Sequence, residues 1–352
     1  MISVIGAGPS GCISAISCSK CDEVRIFEEH KKQPVQCAGL ISKSGIERLG
    51  IPLEKIGRNR IRGARIFSPS GNLLEIDGKE TKAYVFDRSE FDEELLNIAL
   101  DSGVEFVNKR VKNISEMRDS ERIIIATGTD YKLHRKLGLD IPRKFLVCAQ
   151  YEMKLESDPD FVELHFNVPG FFSWIIPLED YARIGVCARK DPVSYLDSFV
   201  KRLKKNGRIL NSKIMDKNFG TIPVYNPGLK TEYGRLITVG DAAGQVKATT
   251  GGGVVMGGIS AGFSCEKDYE RRWRNEIGRE LYIHLLIRRF LDRLSDKSLD
   301  SLFSLLEENK EIIVQRGDMD MASGLLLGFA KNPRFLAGLI TRTPGYILDM
   351  VI

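Results

Sequence analysis

The chain has 352 residues, longer than one compact hydrophobic core usually organises, and its length suits two domains. Hydrophobic residues make up 43% and charged residues 28%, the balance of a globular protein, and no run of about 18 apolar residues is present to span a bilayer. The net charge of +5, from 52 basic and 47 acidic residues, is too small to argue for nucleic acid, and no such partner is expected. It suits an anionic cofactor or an anionic lipid surface, and a solvated face explains it equally well.

Seven cysteines are an odd count, and the N-terminus enters a strand at once rather than a secretory signal. The expectation is a reducing, cytoplasmic setting with free thiols. Cys18 and Cys21 form a C-x-x-C at the end of a predicted helix. No second pair or nearby His completes a metal site, so no metal is expected.

Met1 to Ile5 is a short apolar run that stops at Gly6, the pattern of a buried parallel strand. Small residues dominate from Ser10 to Ser19, as in a helix packed tightly on a sheet, and residues 23–28 read as a second strand. Strand, helix and strand in this order make a right-handed crossover and imply a parallel sheet. Residues 62–76 read as a hairpin turning at Pro69-Ser70-Gly71. Ser89 is placed as the cap of a helix over 90–101 that stops at Ser102-Gly103.

Strands follow at 104–107 and 122–126. From Phe145 to Ala188, β-branched and aromatic residues alternate with polar ones, as in an antiparallel sheet with one wet face. A helix is expected over 191–205 and a buried strand over 235–239. From Glu266 onward the pattern is helical, with breaks near Gly317 and Pro333. The fold class expected is α/β. A Rossmann-like, parallel-sheet cofactor domain (1–61, 84–144 and 233–265) carries an inserted antiparallel-sheet substrate domain (62–83 and 145–232). A C-terminal helical region covers 266–352.

Gly6-Ala7-Gly8-Pro9-Ser10-Gly11 matches G-x-G-x-x-G in the context it requires, after a strand and before a helix. The first glycine makes the tight turn, the second lets backbone N–H groups approach a pyrophosphate, and the third lets helix and strand close up. Glu28, with Glu29 beside it, ends the second strand, where an acid accepts hydrogen bonds from the adenosine ribose. A purely structural turn is the alternative, and the fingerprint by itself serves NAD and FAD alike.

The decision comes from Leu236-Ile237-Thr238-Val239-Gly240-Asp241-Ala242-Ala243-Gly244, ahead of Thr250-Gly251-Gly252-Gly253-Val254. This stretch resembles the second fingerprint of two-domain FAD flavoproteins, which implies Asp241 on the ribityl chain and the following helix aimed at the flavin. Ala126-Thr127-Gly128 resembles a third family element that turns close to the cofactor. Arg88 matches the family's arginine at a helix start, while a side chain pairing with Glu90 or Asp92 at the surface is the alternative.

In this order the four elements resemble the flavoprotein group that includes aromatic hydroxylases and geranylgeranyl reductases. Two segments are similar to the reductases. Pro34-Val35-Gln36-Cys37-Ala38-Gly39 looks like the stretch that carries a cysteine near the flavin ring. Residues 169–177, with Pro169, Trp174 and Pro177, resemble the reductases' P-x-x-Y-x-W-x-F-P signature, followed by G-x-G at Gly185. Phe172 stands for the tyrosine, Ile176 for the phenylalanine, and Cys187 for the second glycine.

The resemblance implies FAD as cofactor and a reductase that saturates C=C bonds of prenyl (geranylgeranyl) chains on membrane lipids or a related polyprenyl compound. Phe172, Trp174 and Pro177 would contact the substrate, and Cys37 would relay the proton or simply touch the flavin. A small buried hydrophobe remains the other reading of Cys37. An aromatic-hydroxylase-type flavin monooxygenase and a flavin-dependent cyclase are the alternatives.

No second G-x-G-x-x-G supplies a nicotinamide domain, which leaves a ferredoxin, NAD(P)H or a small-molecule reductant open as electron donor. The segments 321–330 and 335–340 are strongly apolar and flanked by Lys331, Arg334 and Arg342. They either lie on the inner face of the membrane, as a peripheral contact that hands over a prenyl chain, or pack on the cofactor domain. Burial of Leu325, Leu326 and Leu327 distinguishes the two.

Overall fold

The computed structural model describes residues 1–30 and 36–342, so Pro34 and Val35 of the cysteine segment and the last part of the C-terminal region lie outside the described residues. Strands and helices are numbered in chain order. The cofactor sheet combines β1 (Ile2–Ile5), β2 (Val24–Glu28), β8 (Glu105–Asn108), β9 (Arg122–Ile125), β15 (Glu232–Tyr233) and β16 (Leu236–Thr238). Its order is β15-β16-β9-β1-β2-β8, parallel from β16 to β8 with β15 as an antiparallel edge. Every residue of β1 is buried, as are Ile123, Ile124 and Ile125 of β9, because helices cover both faces of a parallel sheet.

Helix α1 (Pro9–Cys18) can lie close to the sheet because a Cβ on Gly11 would stand 1.9 Å from the Gly6 carbonyl oxygen. It packs against α3 (Arg88–Asp101) and α6 (Val254–Gly262). The cap of α3 is Asp87 rather than Ser89: its carboxylate accepts the N–H of Ser89 at 2.8 Å and of Glu90 at 3.3 Å. Both residues are cap formers, and the carboxylate that reaches two orphaned N–H groups wins.

The second sheet contains β5 (Gly63–Phe67), β6 (Leu73–Asp77), β10 (Phe145–Leu155), β11 (Phe161–Val168), β12 (Phe171–Pro177), β13 (Ala182–Ala188) and β14 (Ile209–Pro223). The order is β14-β10-β13-β12-β11-β5-β6, and only the β5–β11 pair is parallel. Helix α5 (Pro192–Lys205) covers one face through Leu196, Phe199 and Leu203. Strand β14 has no sequence signal because most of its residues are exposed, Leu210, Met215 and Phe219 among them, so neither a buried run nor a clean alternation marks it.

A small sheet that sequence reading did not anticipate, β3 (Leu40–Ser42), β7 (Ala83–Phe86) and β4 (Gly57–Ile61), joins the two. Its Ile61, Ala83 and Val85 share one apolar cluster with Phe172 and Trp174 of β12. Helix α2 (Lys43–Leu49) packs on α6, β3 and β7, and α4 (Lys132–Leu137) brings Leu133 into one cluster with Ile5, Ile123 and Ile125 of the cofactor sheet.

The C-terminal helices are α7 (Tyr269–Trp273), α8 (Arg279–Arg293), α9 (Asp296–Glu308), α10 (Lys310–Arg316), α11 (Ser323–Ala330) and α12 (Pro333–Arg342). The breaks fall at Gly317 and Pro333, as expected. Tyr269, Trp273 and Leu281 are wholly buried in one core cluster with residues of β1, β2 and α1, whereas α9 and α10 pack on β6. Among the described residues no helix is long and apolar enough to cross a membrane.

The expectation of free thiols is corrected at one place. Cys148 of β10 and Cys187 of β13 face each other in register and form a disulfide. Strand register brings them together, and a sequence separation of 39 carries no hint of it.

Candidate active site

A cavity of 1320 Å³ runs from the C-terminal ends of the parallel strands to the C-terminal helices. That is more than one small ligand needs, and it has room for a cofactor and a chain-like substrate. Gly6, Gly8, Pro9 and Ser10 from the β1–α1 turn, Glu28 and Glu29 from the end of β2, and Ala126, Thr127 and Gly128 after β9 line one end. Asp241, Gly251, Gly252, Gly253 and Val254 line it from β16 and the start of α6, with Cys37, Ala38, Gly39 and Arg88 nearby. Parallel strands end here at a topological switch, where α/β sheets bind ligands. Gly11 and Gly240 do not line the cavity; Gly11 closes the helix onto the sheet, and Gly240 turns the chain at a φ of 71° beside Ser10.

Three features fit FAD. A Cβ on Gly8 would meet nothing within 4 Å, and α1 begins there without a side-chain cap, so its first N–H groups face open space suited to a pyrophosphate. Glu28 is fixed beside that turn: its carboxylate accepts the N–H of Ala7 at 3.1 Å and of Glu29 at 2.8 Å. Asp241 shows no hydrogen-bond partner for its carboxylate among the described residues. Burial pushes its pKa up to about 6, partly offset by the charge of Arg88. A half-buried carboxylate without a protein donor suits a ligand that brings donors, as ribityl hydroxyls do.

Arg88 is a buried side chain, not a surface one. It holds Asp92 through Nε at 2.9 Å and Nη2 at 3.1 Å, while Glu90 pairs with Arg58 instead. Burial opposes the guanidinium's charge, but Asp92 and the Cys37 sulfur more than offset it and raise its pKa. Cys37 is half-buried, its Sγ 3.4 Å from the N–H of Gly39. Sequence reading missed Arg183, which fixes this segment. Its Nη1 donates to the carbonyls of Ala38 (3.0 Å) and Phe86 (2.9 Å), and its Nε to Glu152 (2.9 Å). A lone cation within the otherwise apolar β13 was the available signal.

At the other end Phe172, Trp174 and Ile176 line the cavity, because residues two apart on β12 share a face. Pro177 has the opposite parity, whereas Phe171, at the start of the strand, shares one apolar cluster with Phe172 and Trp174. Pro177 is not among the residues that line the cavity, and its carbonyl accepts Asn59 Nδ2 at 3.0 Å. Phe171 stacks on Phe172, ring centroids 4.3 Å apart. Trp174 lies flat across Gly185, where a Cβ would stand 2.2 Å from Cζ2, and its Nε1 donates to Gln150 at 3.1 Å. The wall continues through Ile66, Leu74 and Ile76 of the β5–β6 hairpin to Leu306, Ile313, Leu325 and Phe329 of the C-terminal helices.

A buried polar cluster beside the glycine loop was also missed. Lys247 Nζ donates to Asp320 Oδ1 and to the Met319 carbonyl at 2.8 Å, and Ser42 Oγ donates to Asp320 Oδ2. His284 accepts from Thr249 Oγ1 at Nδ1 (2.6 Å) and donates from Nε2 to the Asp320 carbonyl (3.1 Å), the only tautomer that serves a carbonyl. Burial and the charge of Lys247 lower the pKa of this imidazole and keep it neutral. Lys247 is the only charged residue between Asp241 and Glu266, which was the signal.

No family model matches the chain. An uncharacterised protein of Methanocaldococcus jannaschii is 31% identical over 94% of this chain and 94% of its own. The digeranylgeranylglycerophospholipid reductase of the same organism is 30% identical over 87% of this chain and 90% of its own. The crystal structure of a geranylgeranyl bacteriochlorophyll reductase-like protein from Thermoplasma acidophilum has the same fold, with a TM-score of 0.80, 18% identity, and 99% and 98% of the two chains covered.

Proposed function

We propose that this chain, which belongs to the digeranylgeranylglycerophospholipid reductase family, is an FAD-dependent reductase that saturates C=C bonds of prenyl chains on membrane lipids. The observation that carries the reading is the single cavity in which the dinucleotide cradle at Gly8 and Asp241 opens directly onto the apolar wall of Phe172, Trp174 and Ile176. In its reduced form, bound FAD supplies a hydride to one carbon of the alkene.

The chain's own residues do the rest. Gly6, Gly8, Pro9, Ser10, Glu28, Glu29, Arg88, Ala126, Thr127, Gly128, Asp241 and the 251–254 loop hold the cofactor. Phe172 and Trp174 exclude water and face any positive charge that develops on the alkene with π-density. Cys37, held in place by Arg183, moves the proton to the second carbon at its Sγ. The parallel sheet with α6 forms the cofactor domain, and the second sheet forms the substrate domain.

The prenyl chain enters from the C-terminal helices. Leu326 and Leu327 are 41% and 51% exposed and Ile340 is 60% exposed, whereas Leu325 and Phe329 turn into the cavity. With Lys331, Arg334 and Arg342 beside them, these side chains suit a peripheral contact with an anionic bilayer. A ferredoxin or NAD(P)H is the class of electron donor. The similar reductases favour this reading over a monooxygenase or a cyclase. The test is anaerobic incubation of the reduced, FAD-loaded chain with geranylgeranylated glycerophospholipid, followed by mass spectrometry. Products heavier by pairs of hydrogens are expected, and bound FAD with an unchanged lipid would reject the substrate.

A further inference from the structure

Cys148 and Cys187 form one rung of the β10–β13 ladder, and two rungs along, past Ala149 and Val186, is the pair Gln150 and Gly185 that seats Trp174. Residues two apart on a strand share a face, so the disulfide lies on the same face as the Gln150 amide and the indole. Both cysteines line the cavity rather than the closed core behind the sheet. Cys148 is half-buried and Cys187 only 1% exposed, so the Cys148 sulfur is the one within reach from the cavity.

We infer that Cys148–Cys187 is a reducible site in the cavity wall, with a dithiol as its co-reactant, and that its redox state sets the seating of Trp174. A thiolate of the dithiol attacks Cys148 Sγ; the Sγ–Sγ bond breaks, and Cys187 leaves as a thiolate and takes a proton. The second thiol of the reductant then attacks the mixed disulfide. Cys148 is released with a proton, and the reductant departs as its own disulfide. Two electrons and two protons have passed from the dithiol to the cysteine pair.

In the disulfide state a covalent bond holds β10 to β13 beside the Trp174 seat. In the dithiol state the sulfurs separate to van der Waals distance, and a wall packed this closely must give way there. Trp174 is poised to respond, because it has no clearance over Gly185. The inference concerns the wall alone and does not depend on which lipid fills the cavity.

The test uses the FAD-loaded full chain, dithiothreitol as the dithiol, and alkylation under denaturing conditions. Protein purified without reductant is expected to show five reactive thiols, and seven after dithiothreitol. Tryptophan emission should rise with the same time course, fall again on reoxidation, and leave the helical circular dichroism unchanged. Cys148→Ser should abolish the change in emission. Seven thiols before any reductant, new thiols only when the circular dichroism collapses, or two new thiols with unaltered emission would each overturn the inference.

Discussion

The ammonium of Lys247 lies 2.5 Å from Asp320 Oδ1, with both side chains almost fully buried, and the pair ties the segment after α10 to the glycine loop that precedes α6. Arg48 holds the same segment through Asp318 at 2.8 Å. The C-terminal region is thus fastened across the cavity at the place where the cofactor loop needs a fixed shape.

Breaking a buried pair leaves one charge uncompensated. Asp320→Asn is expected to cost about 3–5 kcal/mol of stability, read by calorimetry, and to weaken FAD binding. The double replacement Lys247→Met with Asp320→Leu should restore most of the stability, because no charge is then left buried. Equal losses in the single and double variants would show that the pair is not the source of the effect.

Gly8→Ala separates folding from cofactor binding. Its backbone lies at φ −73° and ψ 178°, and a Cβ there meets no neighbour, so the apoprotein should melt as before. The dissociation constant for FAD should rise about tenfold or more, since the methyl occupies the pyrophosphate's approach. Gly11→Ala should instead lower the melting temperature, because its Cβ runs into the Gly6 carbonyl.

The Asp241 carboxyl is raised to about 6 in the folded apoprotein, against an unfolded value of about 3.9. Between these values the folded chain holds a proton that the unfolded chain has released. The group's contribution to apoprotein stability is therefore present at low pH and is lost as the pH rises through about 6. Donors from a ribityl chain favour the ionised form, so FAD affinity should increase with pH through that same range. Fluorescence titrations should show this increase in the native protein and not in Asp241→Asn.

Trp174 gives a substrate-side prediction. Gly185→Ala pushes the indole off its seat and should cost about 1–3 kcal/mol in packing, with FAD still bound. Prenyl reduction should fall sharply, while the flavin absorption spectrum keeps its bound form. Unchanged turnover would remove Trp174 from the substrate wall.

That Gly6, Gly8, Glu28 and Asp241 meet at one end of the cavity was legible because glycine spacing, a closing acid and a strand before a helix are local signals. Gly6, Gly8, Glu28 and Asp241 could each be placed from a few neighbouring residues. Pro177 does not line the cavity with Trp174, because a signature names residues without the strand parity that decides which face they take. The Cys148–Cys187 bond, the Lys247–Asp320 pair and the Arg183 clamp join residues far apart in sequence, and register or packing, not spacing, brings them together. Leu326 and Leu327 could not be assigned to core or surface from an apolar run alone, because both fates use the same residues.

The most direct measurement is an anaerobic single turnover: FAD-loaded protein reduced stoichiometrically, mixed with geranylgeranylated lipid, and followed by flavin absorbance and product mass together. The account predicts one flavin reoxidised for each double bond saturated, with both slowed in Cys37→Ala. Flavin that stays reduced in the presence of the lipid, or reoxidises with no gain in lipid mass, would contradict it.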